Sequence, residues 1–265
     1  MVDHLLHLRV LSALVGIPVI LLAAWYGGWA LWLLTTTIFL IASLEITIML
    51  KGLGLKPSRE IIISGGLFLL VAAYLYKDDL LAPALVLIIL YNLLSMVLLY
   101  PRTTPLDVFG NMTATFYIGN ILFFFLIRDL PDGWFWIILL LTATWASDTF
   151  AYFTGRAFGK HKLAPLLSPK KTIEGAVGGV LGSVLLCYIF SLSVQSFNTI
   201  PLILIGVLIG VASLLGDLME SAIKRQAGVK DSGQIIPGHG GFLDRFDSLL
   251  FTAPLVYYTV KVFII

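Results

Sequence analysis

Long apolar runs separated by short polar breaks follow one another from end to end of the chain, and nine of them come near the roughly 20 residues that a helix needs to cross a bilayer. They fall at about 10–25, 29–50, 61–76, 80–100, 111–127, 134–153, 173–194, 200–222 and 246–265. Each is continuous and rich in Leu and Ile, without the strict alternation of a membrane β-strand. Stretches 134–144 and 200–215 contain no charge at all. The fold class this pattern predicts is all-α: a polytopic integral membrane protein with about nine transmembrane helices.

Charge then orients the bundle. With a cytoplasmic N-terminus, Arg9, Lys51, Lys56, Arg59, Arg102, Arg156, Lys160, Lys162, Lys170, Lys171, Lys224, Arg225, Lys230 and Arg245 fall on the cytoplasmic side. Only Lys77, Arg128 and Lys261 fall opposite. The positive-inside rule therefore predicts that orientation, and an odd number of spans leaves the C-terminus outside. His4, His7 and Arg9 before the first run resemble a secretory leader, but no small-residue cleavage site precedes Trp25, so a retained first span is expected.

Composition agrees with a lipid environment: 59% of residues are hydrophobic and 12% charged, about half the charged share of a soluble domain. A net charge of +2 without a basic, aromatic-studded run argues against a nucleic-acid partner. The single cysteine, Cys187, excludes an intrachain disulfide or a cysteine metal cluster and reads as a small buried hydrophobe. A homo-oligomer is allowed by these features but not required.

Along this single membrane domain, residues 1–130 read mainly as scaffold spans and residues 134–265 as catalytic spans and cytoplasmic loops, because the closely spaced carboxylates and lysines follow Trp145. Asp148 interrupts an apolar run, with Thr144, Tyr152 and Arg156 on its helical face. An intramembrane carboxylate is costly, so a polar cavity or a partner is expected there. Asp217, Glu220, Ser221 and Lys224 share one face at the end of the eighth run, an anionic turn followed by a cationic one. A glycine-rich segment with Gly228, Gly233, Gly238, Gly240 and Gly241 comes next, suited to close approach of backbone amides to an anion. It runs into Asp244 and Asp247, one helical turn apart, which with Asp217 could give a hard cation its carboxylate oxygens.

Lys170 and Lys171 precede the seventh run, where Ser168 and Pro169 look like capping residues and the free amides of a helix start would favour an anion. Gly175, Gly178, Gly179 and Gly182, with Gly206 and Gly210, have the spacing of close helix contacts. His239 has no serine or cysteine placed beside it as a nucleophile, so phosphate binding or loop shaping suits it better than a hydrolytic triad.

The run Ser221-Ala-Ile-Lys224-Arg225, then Lys230-Asp231-Ser232, Pro237-Gly-His239-Gly240-Gly241 and Asp244-Arg245-Phe-Asp247 resembles the C-terminal signature of CDP-diacylglycerol synthases, the phosphatidate cytidylyltransferases. Ser168-Pro-Lys-Lys-Thr-Ile-Glu-Gly and the Asp148 segment resemble other parts of that family, so the likeness spans the C-terminal half. It implies that CTP and phosphatidate give CDP-diacylglycerol and pyrophosphate with a divalent metal such as Mg2+. Paired carboxylates leave room for a second metal ion, the short N-terminus suggests a bacterial plasma membrane, and the charge distribution puts the site on the cytoplasmic side. The residue reading assigns catalytic roles to Asp148, Asp217, Lys224, Arg225, Asp244 and Asp247, with the metal on Asp217 and Asp244 and help from Asp247 or Asp148. The resemblance further implies substrate contacts from Ser168, Lys170, Lys171, Thr172, Glu174, Ser221, Lys230, Asp231, His239, Gly240, Gly241 and Arg245. Competing readings are a CTP-dependent polyprenol kinase, cytidylyl transfer to an ether lipid, and an ion-coupled transporter. The chain lacks the internal repeat that transporters often show.

Overall fold

The computed structural model describes residues 2–193, 198–236, 238 and 240–264, and only the backbone of 2–6, 8 and 9. The described residues form ten helices: α1 (Val2–Tyr26), α2 (Gly28–Gly52), α3 (Arg59–Tyr76), α4 (Leu81–Leu99), α5 (Pro105–Gly119), α6 (Leu122–Arg128), α7 (Gly133–Phe158), α8 (Ile173–Ser193), α9 (Thr199–Gln226) and α10 (Leu243–Phe263). A two-stranded antiparallel sheet, β1 (Lys162–Ala164) and β2 (Ser168–Thr172), stands between α7 and α8. Seven spans, with α5 and α6 taken as one, are long and apolar enough to cross a membrane, and Val10–Tyr26 is a shorter apolar helix. The last predicted run lies in α10, whose first turns carry Asp244, Arg245 and Asp247. The all-α membrane class holds.

Two departures have local causes. The fifth helix begins at Pro105, ahead of the apolar run, because Thr104 and Asp107 form a reciprocal capping box with Pro105 at the first helical position. Hydropathy does not register such a start. The stretch before the seventh run is a strand, so Ser168 and Pro169 cap nothing. Thr172 does so instead, its Oγ1 accepting from the Gly175 amide at 3.1 Å. The hairpin is too short to be stable alone. Glu174, in the first turn of α8, fixes it by accepting from the amides of Lys160 (3.1 Å) and His161 (3.3 Å) and meeting His161 Nδ1 at 2.6 Å.

The chain forms two compact units, Met1–Leu126 with Ile223–Phe246, and Ile127–Ala222 with Asp247–Ile265. In the first, α2 and α3 lie so close that a Cβ on Gly66 would run into the Phe39 ring. Trp32 Nε1 also donates across this pair to the Leu70 carbonyl at 3.0 Å. The loop after α2 is fixed to α5 by its backbone: the Lys56 amide donates to Asp107 Oδ1 at 2.6 Å and the Ser58 amide to Asn111 Oδ1 at 2.9 Å.

The second unit is built on α8 between α7 and α9. The predicted glycines allow both contacts. A Cβ on Gly182 would stand 2.6 Å from the Phe150 Cβ, and one on Gly175 would stand 2.9 Å from the Ala151 carbonyl oxygen. On the other side Ser183 donates to the Gly206 carbonyl at 2.7 Å. A Cβ on Gly210 would stand 2.6 Å from the Val180 Cα, an atom that cannot rotate away. Gly210→Ala is therefore expected to cost about 1–3 kcal/mol by overpacking, read as a lower Tm in detergent. Gly16→Ala, where nothing lies within 4 Å, should not lower Tm, since alanine is the better helix former.

Candidate active site

In the second unit, α7, α8, α9 and β2 enclose a cavity of about 430 Å³. Its walls are largely apolar or bare backbone: Ala151, Gly175, Ala176, Gly179, Gly210 and Leu214. Its polar groups come from three directions. Helix α7 continues to Phe158 and brings Asp148, Tyr152 and Arg156 to the cavity on one face, as their spacing predicts. Thr144, further back on that face, is buried beside Thr252. Strand β2 brings Lys170 and Lys171, and α9 brings Ser213 and Asp217.

Within this cavity the charges are already paired in part. Lys171 Nζ lies 2.5 Å from Asp217 Oδ2, and these side chains are 22% and 39% exposed. An ion pair this open contributes little to stability, about 0–1 kcal/mol, so Lys171 can exchange Asp217 for another anion at small cost. Ser221 donates to the other Asp217 oxygen at 3.3 Å, and Ser213 donates to Asp148 at 3.0 Å. Helices α9 and α10 touch beside these groups: a Cβ on Gly216 would come 2.6 Å from the Asp247 carbonyl oxygen, and Ser248 donates to the Ser213 carbonyl at 3.1 Å. Thr172 and Glu174 are occupied with capping α8 and holding the hairpin, as described above, and Ser168 opens β2 opposite Ala164.

The first unit holds a different arrangement. Lys224, near the end of α9, donates to Asp244 Oδ1 at 2.6 Å, with the side chains 12% and 5% exposed. Asp244 Oδ2 accepts from the Ser232 amide (2.8 Å), the Gly241 amide (2.9 Å) and Ser232 Oγ (3.0 Å). Burial pushes the Asp244 carboxyl up, but the Lys224 ammonium and the two amides outweigh it and hold it below the ordinary carboxylate value. Between these anchors the glycine-rich loop forms a polar cleft of about 590 Å³ with Lys230, Asp231, Gln234, Gly240 and Arg245 in its lining. Gly238 and Gly240 have φ of 76° and 83°, which L side chains rarely adopt. The Ile236 amide donates to the Gly240 carbonyl at 2.9 Å, closing the turn. His239 lies outside the described residues, and Arg225 is exposed in the last turn of α9, lining neither cavity.

Of the three predicted metal carboxylates, Asp217 and Asp247 belong to the second unit and Asp244 to the first. Among the described residues, no three His, Cys, Asp or Glu side chains are gathered for a metal ion. The donor chemistry nonetheless suits a hard cation, which Mg2+ sites commonly hold by one or two carboxylates and substrate phosphates. Asp217 is open enough to serve. Asp244 is more committed, its Oδ1 facing Lys224 and its Oδ2 the Ser232 and Gly241 amides.

One residue central to this geometry escaped the sequence reading. Glu45, in α2, is 2% exposed. It accepts from the amides of Phe242 and Leu243 and from Ser232 Oγ. The signal was present, since Glu45 is a lone carboxylate within a predicted span.

Apolar walls meeting cations and carboxylates, set among spanning helices, equip a membrane-embedded transferase. Comparison with known proteins narrows that class. The chain belongs to the cytidylyltransferase family, whose model matches residues 7–263. It is 35% identical over 284 residues to the phosphatidate cytidylyltransferase of Synechocystis sp., with 95% of each chain covered. The phosphatidate cytidylyltransferase of Staphylococcus haemolyticus is 34% identical over 262 residues, covering 95% of this chain and 97% of its own. That of Bacillus subtilis is 41% identical over 203 residues, covering 74% and 76%. The protein is thus a nucleotidyltransferase.

Removing the Asp244 charge strands a buried ammonium. Asp244→Asn is expected to cost about 3–5 kcal/mol. Because the folded carboxyl titrates below its unfolded value of about 3.9, the pair's contribution is complete above that value and disappears as pH falls through the folded one. Thermal unfolding in detergent from pH 7 to pH 3 should show this acid loss in the wild type and a smaller one in Asp244→Asn.

Proposed function

We propose that this protein transfers the cytidylyl group of CTP to phosphatidate, yielding CDP-diacylglycerol and pyrophosphate for phospholipid synthesis. The observation that carries the reading is the cavity of the second unit. Its apolar and glycine walls suit lipid, and Lys170, Lys171 and Arg156 supply cations where a lipid phosphate would stand. The family and the names of the relatives agree with it.

A phosphate monoester has its second pKa near 6, so phosphatidate arrives largely as the dianion and needs no strong base. What it needs is alignment and neutralisation. Lys171 leaves Asp217 for the lipid phosphate, and Lys170 and Arg156 flank it. A phosphatidate oxygen then forms a bond to the α-phosphorus of CTP as the bond to the pyrophosphate oxygen breaks, and pyrophosphate carries away the electron pair. A hard divalent cation such as Mg2+, held by Asp217 and Asp247 with phosphate oxygens, would supply further charge neutralisation. In the first unit, the cleft with Lys230, Arg245 and the Gly240 turn offers cations and backbone for nucleotide phosphates. The expected location is a bacterial plasma membrane with these charged helix ends on the cytoplasmic side, by the positive-inside rule.

Purified protein given phosphatidate, Mg2+ and CTP labelled at the α-phosphate should move label into the organic phase, and EDTA should stop it. Label moving instead from the γ-phosphate would identify a kinase, and no transfer to phosphatidate from folded protein would overturn the assignment. An ether-linked phosphatidate analogue, run in parallel, reports acceptor preference. Lys171→Ala should lower kcat/KM roughly 10- to 150-fold, corresponding to the ~1.5–3 kcal/mol of a hydrogen bond to a charged group. Asp217→Asn should reduce turnover and raise the Mg2+ concentration needed for half-maximal rate.

A further inference from the structure

The transfer step just described leaves the buried carboxylate of α2 without a role, although its surroundings are built with care. Glu45 Oε1 accepts from the Phe242 amide at 2.9 Å, and Oε2 accepts from the Leu243 amide at 2.9 Å and from Ser232 Oγ at 3.0 Å. Burying a carboxylate in an apolar helix is costly unless it is well hydrogen-bonded. Two of its donors lie at the N-terminus of α10, amides that no turn of that helix can satisfy. The third, Ser232, stands at the opposite end of the glycine-rich loop. Glu45 therefore joins both ends of the segment that bears the polar cleft.

We propose that Glu45 is a positioning residue of the cytidylyl transfer: from inside α2 it fixes the cleft-bearing loop at Ser232 and at Phe242 and Leu243, so that the cleft's amides and its flanking cations, Lys230 and Arg245, are aligned for the nucleotide phosphates. The proposal rests on the reading of the reaction given above. It acts through Ser232, whose Oγ lies 3.0 Å from a carboxylate oxygen of Glu45 and equally 3.0 Å from Asp244. That hydroxyl has a single proton, so the two carboxylates are linked by one shared group, and a shift of Glu45 is transmitted to Asp244 and Lys224. The socket also excludes alternatives. A Cβ at Gly233 would stand 2.6 Å from Glu45 Oε1, and one at Gly241 would stand 2.6 Å from both oxygens. The loop can close on the carboxylate only because these two positions carry no side chain.

The test compares wild type, Glu45→Ala, Glu45→Gln and Ser232→Ala with Asn111→Ala, which removes a buried acceptor elsewhere in the same unit. Amide hydrogen exchange and steady-state kinetics are read at matched fractions of folded protein. In Glu45→Ala, exchange across 232–243 should accelerate at least about tenfold. Its kcat/KM for CTP should fall on the order of 100-fold, as for misplaced reacting groups, with the KM for phosphatidate little changed. Glu45→Gln, which keeps one acceptor oxygen, should recover part of both. Asn111→Ala should lower Tm and leave both alone. If Glu45→Ala does not fold, Glu45→Gln and Ser232→Ala carry the same comparison. Wild-type exchange across 232–243 in these variants, or kinetics indistinguishable from Asn111→Ala, would overturn the proposal. If the wild type transfers nothing from CTP, the reaction reading fails on its own, while the exchange data still decide whether Glu45 holds the loop.

Discussion

The ion pair of Lys224 with Asp244 is the contact on which the first unit's chemistry depends. Both charges are nearly out of solvent, and neither would be stable there without the other. The pair ties the end of α9 to the start of α10, and the chain between them has to return within reach of both. The amides of Ser232 and Gly241 complete the coordination of Asp244, so the loop's path follows from the need to satisfy one carboxylate. Glu45 repeats the solution from α2. Electrostatics thus shapes the glycine-rich loop, whereas the spanning helices meet mainly by packing.

The second unit follows the opposite logic. Its helices come together through missing side chains, and its charges are left partly open. Lys171 and Asp217 hold each other in a geometry that solvent can reach, so each remains available to a ligand. The buried pair of Lys224 with Asp244 fixes structure in the first unit, and the pair of Lys171 with Asp217 in the second is open to exchange.

Much of this was visible in the linear order of residues. The spans follow from hydropathy, and the common face of Asp148, Tyr152 and Arg156 follows from helical periodicity. The helix-contact glycines follow from their spacing. Pairings between distant positions were not visible: Lys171 with Asp217, or Glu45 with Ser232, join residues whose partners no local pattern specifies. Glu45 was overlooked because the apolar run around it reads as scaffold once averaged, although a single carboxylate in such a run is itself a signal. The hairpin was missed because its strands are short, charged and interrupted by proline. Glu174 helps hold it in place, through contacts to Lys160 and His161 that no local pattern specifies.

Gly175, Gly179 and Gly210 line the cavity and also touch neighbouring helices. One surface of the chamber is therefore main chain, common to any sequence that preserves these contacts and closed to alteration by side-chain replacement. If the chamber holds the lipid as proposed, adaptation to shorter, longer or bulkier acyl groups runs through lining positions that bear a Cβ, among them Ala151, Ala176 and Leu214. Variation that reshapes this chamber is then confined to side-chain-bearing positions such as these, while the glycines between them stay fixed.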